Sequence, residues 1–185
     1  HAVEFVNGTV SYRNRSVQTE GLKAEQAAGE ALYGGIGRIM PTDPLLTRKY
    51  GDMGPVKNSA SIHILNHAGK RLALFDSACP YEVSDSLETI GEWKPKGRVK
   101  PIYINAHTRK DPDTGELFAF VCDLKRPYLK YYVFNKQGQL MQEKAIDKTY
   151  STFIHDFVLT PNYLVFFDCP AVYDTEQLKV EGQLL

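Results

Sequence analysis

Residues 111–140 read DPDTGELFAFVCDLKRPYLKYYVFNKQGQL, and this stretch decides the fold of the chain. Turn-forming residues at 111–115 and 135–138 stand next to runs of aromatic and β-branched residues, which favour strands. A third turn follows at 160–162, so the three turns centre 24 residues apart, near 113, 137 and 161. Two hairpins with four strands therefore take about 48 residues, which is the size of one β-propeller blade.

The same pattern of strand, turn and strand continues toward the start of the chain. Asn7-Gly8 and Ala68-Gly69 each separate two short apolar runs, as hairpin turns do. We expect residues 102–104 to pair with residues 117–121 across the turn between them. The pattern predicts an all-β protein built from consecutive antiparallel four-stranded sheets.

One helix is predicted over Leu22–Leu32, which is rich in good helix formers, with Thr19 as its N-cap. Residues 34–57 carry Gly, Pro and Asp with little periodicity and are expected to form a long surface loop. The chain would hold about three blades, counting the first hairpin and the helix as an irregular start, whereas a closed propeller usually needs about four to eight. We therefore expect residues 1–185 to form a single incomplete β-propeller domain, truncated at both ends.

Composition excludes several classes of function. The formal net charge is zero and the pI is about 7.1, so neither nucleic acid nor an anionic membrane surface is expected as the main partner. The longest apolar runs, such as Tyr163–Phe167, are far shorter than the roughly 20 residues of a transmembrane helix, and no transmembrane segment is predicted. The cysteines Cys79, Cys122 and Cys169 are widely spaced, which favours free buried thiols over a zinc site or a disulfide framework.

Two histidines repeat with the period of the blades. His107 and His155 are 48 residues apart, one blade step, so they should occupy equivalent places near the central axis. Imidazoles that converge there are candidate metal ligands. Periodicity alone does not select them, because His63 precedes His107 by 44 residues and fits nearly as well. The alternative for each is a polar core residue, and His67, in a turn, is expected to be solvated.

The segments around these histidines resemble motifs of a known family. Residues 106–117, AHTRKDPDTGEL, resemble the AHPKxDPxTGEL signature of the carotenoid cleavage oxygenases, and residues 154–163, IHDFVLTPNY, resemble their MHDFxxTxNY signature. Between them, residues 126–132 are similar to the family's PYLxYY stretch. The likeness runs over nearly the whole chain.

The resemblance implies a seven-bladed β-propeller, of which this chain holds about the first three blades, with a non-haem iron(II), Fe(2+), on the axis held by four histidines. His107 and His155 match the first two of these ligands, His63 matches none, and the other two lie outside the chain. The family's enzymes use O₂ to split a C=C bond of a carotenoid, an apocarotenoid or a stilbene into two carbonyl products. The implied partners are an apolar polyene substrate and O₂, and the chain alone is expected to be inactive.

Two residues depart from the family pattern. Asp76 stands where the family has a Glu that accepts a hydrogen bond from a ligand imidazole, so we expect Asp76 in the outer shell of the metal; the alternative is that it caps the following turn. Phe75 stands where stilbene-cleaving relatives carry a Lys, which favours an apolar polyene and makes Phe75 a candidate substrate-lining residue.

Three readings of function stay open at the level of sequence. The chain is part of a carotenoid dioxygenase, a catalytically incompetent fragment or interaction module, or part of a propeller of another class. The resemblance also implies cytosol or plastid as the compartment, and peripheral membrane contact for the full-length protein.

Overall fold

In the computed structural model, residues 1–34, 45, 48–49 and 56–174 are described. Most of the predicted loop at 34–57, and the polar tail from residue 176, lie outside the described residues. Within the described residues, no helix is long and apolar enough to cross a membrane.

The described residues form four antiparallel sheets and one nine-residue helix in chain order, and Leu45, Arg48 and Lys49, inside the segment predicted as a loop, are also helical rather than irregular. The elements are β1 (Ala2–Val6), β2 (Thr9–Arg13), α1 (Glu20–Ala28), β3 (His63–His67), β4 (Lys70–Leu74), β5 (Tyr81–Val83), β6 (Thr89–Glu92), β7 (Arg109–Lys110), β8 (Leu117–Cys122), β9 (Leu129–Phe134), β10 (Leu140–Ile146), β11 (Phe157–Leu159) and β12 (Leu164–Phe166). Strands β3–β6 and β7–β10 form two four-stranded meanders, whereas β1–β2 and β11–β12 form two-stranded sheets. The expected consecutive antiparallel sheets are confirmed, with four strands in the two central sheets.

The hairpin turns lie where the sequence predicts them. Asn7 and Gly8 have φ values of 47° and 78°, and Ala68 and Gly69 have values of 51° and 73°. Two consecutive positive φ values match the twist of the flanking strands. Strand β7 begins 48 residues before β11, so the spacing of the turns does measure one blade step.

The helix has different bounds from those predicted. The Thr19 hydroxyl accepts a hydrogen bond from the Leu22 N–H at 3.2 Å, which confirms the N-cap and starts α1 at Glu20. The helix ends at Ala28, and its C-cap is Gly29, whose φ of 76° is left-handed and whose N–H donates to the Glu25 carbonyl. The prediction that helix formers carry it to Leu32 is therefore wrong, because the chain turns at Gly29 and the Leu32 N–H bonds to the Glu25 side chain instead.

The segment at 102–104 does not pair with 117–121 as predicted. Strand β7 takes that place, with Arg109 opposite Phe118. Ile104 instead exchanges two backbone hydrogen bonds with Ala78, at 3.1 and 3.0 Å, and so joins the β3–β6 sheet to the segment that leads into β7. Ile102 and Ile104 are buried because they fill the space between two sheets.

Two apolar clusters hold successive sheets together. The first lies between the two four-stranded sheets and includes Leu72, Leu74, Ile104, Leu117 and Phe134, all fully buried. The second packs the β7–β10 sheet against β11–β12. Its fully or almost fully buried members are Phe120, Leu129, Ile154 and Phe157. Consecutive sheets thus stack through their faces, which brings the segments before β7 and before β11 side by side.

Two further expectations need correction. His67 is 3% exposed rather than solvated, because it ends β3 beneath the neighbouring sheet. All three cysteines are free, but only Cys79 is buried; Cys122 is partly exposed and Cys169 is exposed, since it lies past the last strand.

Candidate metal centre

Three segments that directly follow or precede strands come close together. Asp76 follows β4, His107 precedes β7 and His155 precedes β11. One potential ligand atom from each of these side chains lies within 4.8 Å of the other two. The ring centroids of His107 and His155 are 4.4 Å apart, with the planes inclined by 60°. The structure therefore brings together Asp76, His107 and His155.

The Asp76 carboxylate contacts both histidine segments. Its Oδ1 accepts a hydrogen bond from the Ala106 N–H at 3.3 Å, and its Oδ2 lies 3.5 Å from Nδ1 of His155. The side chain is only 10% exposed. These contacts lead to the two histidine segments, so the structure places Asp76 beside the candidate ligands, and its role as an outer-shell residue stays a prediction.

A buried asparagine holds the backbone of His107. The Asn105 Oδ1 accepts the His107 N–H at 2.9 Å, while the Asn105 N–H donates to the Phe120 carbonyl of β8 at 2.6 Å. Asn105 is fully buried, so the position of His107 depends on the sheet behind it. The sequence alone did not single out Asn105, although its place two residues before a candidate ligand was a usable signal.

His155 is placed by the residues on either side of it. Ile154 and Phe157 are each 1% exposed and fill the second apolar cluster. The His155 side chain itself is 57% exposed, and the exposed Phe153 ring lies 5.5 Å from it between centroids. An anchored loop thus presents an accessible imidazole beside an aromatic ring, a neighbour that the sequence alone did not reveal.

A second carboxylate, Asp156, lies on the far side of the pair. Its Oδ2 is 3.9 Å from Nδ1 of His107. Both of its oxygens bond to the Arg109 guanidinium, at 2.8 and 2.7 Å, and Oδ1 also accepts the Phe157 N–H at 2.7 Å. Partial burial acts to raise the pKa of Asp156, but the Phe157 N–H, the Arg109 guanidinium and His107 outweigh it and hold that pKa below its ordinary value. In the sequence, Arg109 and Asp156 stand out only as members of the two family-like motifs.

The donor set suits a divalent first-row transition metal. Imidazole nitrogen is a ligand for iron, zinc, copper and nickel, and a carboxylate beside it supplies either a further ligand or an orienting acceptor. His107 and His155 are the residues that can hold such an ion, and Asp76 stands against His155. The described residues do not by themselves choose among these metals.

The other two residues that the sequence suggests are His63, which lies outside the cluster, and Phe75, which is buried. His63 is exposed at the start of β3 and is not part of the cluster. Phe75 precedes Asp76 but is 7% exposed, so it offers little surface to a ligand in this chain. Its role as a substrate-lining residue stays a prediction.

Comparisons with known proteins agree with this geometry. The family model described as RPE65, retinal pigment epithelial membrane protein, matches residues 1–184. Isoeugenol monooxygenase of Pseudomonas putida is 32% identical over 184 residues, covering 97% of this chain and 37% of the relative. Carotenoid 9,10(9',10')-cleavage dioxygenase 1 of Phaseolus vulgaris is 30% identical over 203 residues, covering 100% of this chain and 36% of the relative.

A solved structure shows the same likeness. The crystal structure of Pseudomonas brassicacearum lignostilbene dioxygenase superposes with a TM-score of 0.83 at 33% identity, covering 98% of this chain and 37% of that one. The chain thus spans 36–37% of the length of the curated relatives named here. The structural neighbours are β-propeller oxygenases, which confirms the expected partial propeller, and the family comprises non-haem iron dioxygenases that cleave carotenoids or stilbenes. The chain, whose paired histidines converge as the family motifs imply, belongs to the RPE65/carotenoid cleavage oxygenase family.

Proposed function

We propose that the full-length protein is a non-haem iron(II) dioxygenase that cleaves one C=C bond of a carotenoid or apocarotenoid, and that this chain supplies part of its metal site. One O₂ adds one oxygen atom to each alkene carbon, so the products are two carbonyl compounds and no further oxidant is needed. The observation that carries the proposal is the convergence of His107 and His155, whose rings lie 4.4 Å apart between centroids.

His107 and His155 would hold the iron, with Asp76 orienting the His155 ring. Iron(II), when bound, supplies the one-electron chemistry that O₂ needs in order to react with a closed-shell alkene. The chain's own residues fix two imidazoles in place through the Asn105 and Asp76 contacts, and they leave the His155 ring open to solvent. Two histidines do not enclose an ion, so the proposal assigns the remaining ligands to the rest of the protein.

A second substrate class has support of its own. Two of the relatives named above are an isoeugenol monooxygenase and a lignostilbene dioxygenase, at 32% and 33% identity. Isoeugenol and lignostilbenes carry a C=C bond conjugated to a phenol ring. Position 75 weighs against this class, because the chain has Phe75 where stilbene-cleaving relatives carry a Lys, and so lacks there the charged group that would bind a phenol oxygen. We therefore place the polyene first and the alkenyl phenol second.

The experiment is a cleavage assay on the full-length, iron-loaded protein. An apocarotenoid, a lignostilbene and isoeugenol are each supplied with O₂, and the carbonyl products are identified by mass spectrometry. We expect cleavage of the apocarotenoid, and loss of cleavage together with loss of bound iron in His107→Ala and in His155→Ala. The matched control is His63→Ala, which removes an exposed ring outside the cluster. Full activity in either cluster variant would refute the assignment, and cleavage of the phenols alone would select the second class.

We make two further proposals about the full-length protein, which concern its contact with membranes and its location in the cell. Carotenoids dissolve in membranes, so we propose peripheral contact between the complete protein and a lipid surface, and a location in the cytosol or a plastid. Vesicle flotation and cell fractionation are the corresponding measurements.

A further inference from the structure

The two imidazoles at the centre face different carboxylates. Nδ1 of His155 faces Asp76 at 3.5 Å, and Nδ1 of His107 faces Asp156 at 3.9 Å. Asp76 follows β4 of the β3–β6 sheet, His107 precedes β7 of the β7–β10 sheet, and Asp156 immediately precedes β11. The carboxylates therefore connect three successive sheets at the point where the rings meet.

Asp156 is held in a defined direction. A single nitrogen of Arg109, Nη2, donates to both of its oxygens, and the Phe157 N–H also donates to Oδ1, while Nη1 of Arg109 donates to the Thr108 carbonyl. Arg109 also lies 5.5 Å above the Phe157 ring, which is 1% exposed and belongs to the second apolar cluster. Two residues thus set the direction of the Asp156 carboxylate through three hydrogen bonds.

The pair has little value as a plain stabilising contact. Arg109 is 38% exposed and Asp156 is 44% exposed, so solvent screens their attraction. What the hydrogen bonds of Arg109 and Phe157 supply is a carboxylate of defined orientation beside the His107 ring. Metal-ligating histidines almost always donate their second ring N–H to such an acceptor, which fixes the tautomer and the ring plane.

We propose that Asp156 is a positioning residue for His107, with Arg109 as the group that aims it. In this arrangement Oδ2 of Asp156 accepts the N–H at Nδ1 of His107, which leaves Nε2 of the same ring for the metal. The distance of 3.9 Å between Oδ2 of Asp156 and Nδ1 of His107 must shorten by about 1 Å to become a charge-assisted hydrogen bond. Hydrogen bonds in such sites often shorten when a ligand is bound. The inference rests on the proposed function, because it takes His107 as a ligand.

The test uses the full-length protein and a readout other than turnover. Cobalt(II) alone is titrated into the metal-free protein, and both the dissociation constant and the visible absorption spectrum of the bound ion are recorded. The variants are Asp156→Asn and Asp156→Glu, followed by Arg109→Gln and Arg109→Lys. Asp113→Asn removes an equal charge from the exposed turn after β7 and is the matched control. Thermal unfolding of each metal-free variant reports whether it folds.

We expect Asp156→Asn to weaken cobalt binding about 10–100-fold and to change the spectrum, while the metal-free protein unfolds at the wild-type temperature. Asp156→Glu should recover part of the affinity, and Arg109→Lys should retain more affinity than Arg109→Gln, because a lysine keeps a charged donor for the carboxylate. Wild-type affinity and spectrum in Asp156→Asn would overturn the inference while the proposed function stands. A wild-type protein that binds no cobalt would overturn both this inference and the proposed function. A loss of cobalt affinity that only accompanies a lower unfolding temperature would overturn the inference and show that Asp156 has a structural role.

Discussion

At the scale of single residues, Asp76 is the carboxylate that links the two histidine segments. One oxygen takes the Ala106 N–H and the other faces the His155 ring. The distance to the ring nitrogen, 3.5 Å, is at the outer limit of a hydrogen bond, and a glutamate, with one more methylene, would reach further.

Replacing Asp76 tests its part in metal binding. Asp76→Asn keeps an acceptor for the Ala106 N–H but removes the charge beside His155, so we expect iron(II) or cobalt(II) affinity of the full-length protein to fall about 10–100-fold. Asp76→Glu should bind at least as tightly as the wild type, because the longer side chain reaches the ring. Metal titration measures both effects. Unchanged affinity in Asp76→Asn would show that the carboxylate does not orient the ligand.

His67 is a buried residue whose charge state depends on pH. Neither ring nitrogen makes a hydrogen bond of normal geometry within the described residues. Burial lowers the pKa of His67 below 6.5, and the charge of Lys110 lowers it further, while the nearby Asn135 backbone opposes part of the decrease. The folded protein therefore favours the neutral ring.

The lowered pKa of His67 predicts weaker folding in acid. As the pH falls below about 6.5, the unfolded chain takes up a proton at this site before the folded chain does, so the free energy of unfolding decreases until the folded pKa is passed. His67→Phe should make this part of the pH profile flatter in the full-length protein, measured by denaturant unfolding at a series of pH values. His63→Phe, at the exposed end of the same strand, is the control. A profile with the same slope in His67→Phe would contradict the prediction.

At the scale of elements, two turns from neighbouring sheets touch. The β3–β4 turn contains Ala68 and Gly69, and the β9–β10 turn ends at Gly138. A Cβ at Gly138 would lie 2.9 Å from the Ala68 Cβ, closer than two such atoms can approach. The Gly138 carbonyl also accepts the Lys96 N–H at 2.9 Å, which keeps this turn against the neighbouring segment.

Two glycine substitutions separate backbone strain from close packing. Gly69 and Gly138 have similar φ values, 73° and 79°, but nothing lies within 4 Å of a Cβ built at Gly69. Gly69→Ala should therefore cost only the left-handed backbone, about 1–2 kcal/mol. Gly138→Ala adds the collision with Ala68, and we expect at least about 1 kcal/mol more. Chemical unfolding of the full-length variants gives the two values, and equal losses would mean that the turns do not press on each other.

At the scale of the whole molecule, the sheets at the two ends differ from those in the middle. The two central sheets have four strands each, whereas β1–β2 and β11–β12 have two, and large apolar side chains in or next to these two hairpins are exposed. Phe5 is 75% exposed, Tyr163 is 72% exposed and Phe167 is 63% exposed. Open strand edges with apolar faces are typical sites of association.

Produced alone, the chain should therefore associate with itself and show no turnover. Light scattering is expected to give particles larger than a 20.9 kDa monomer, with strong binding of an apolar dye. The double variant Phe5→Ser and Tyr163→Ser should reduce both signals, while Ser11→Ala on β2 serves as the control. A monomeric product that unfolds cooperatively would contradict this expectation.

The sequence by itself determined the local structure and the spacing of the site. Alternating apolar runs and turn residues predict the hairpins, because strand pairing across a short turn depends on neighbours in the chain. The 48-residue step between His107 and His155 follows from the same repeat, since each histidine precedes the first strand of a sheet or hairpin by two residues.

Only the tertiary structure decided which side chains meet. Asp156 reaches His107 across a sheet boundary, Ile104 bonds to Ala78 rather than to β8, and the ring of His67 is buried rather than solvated. These contacts form where the face of one sheet packs against the next. They join residues that are distant in the sequence, so a pattern within one short segment does not predict them. Asp156 follows His155 in the sequence but faces His107 in the structure. This arises because the strand after His155 and the strand after His107 belong to different sheets.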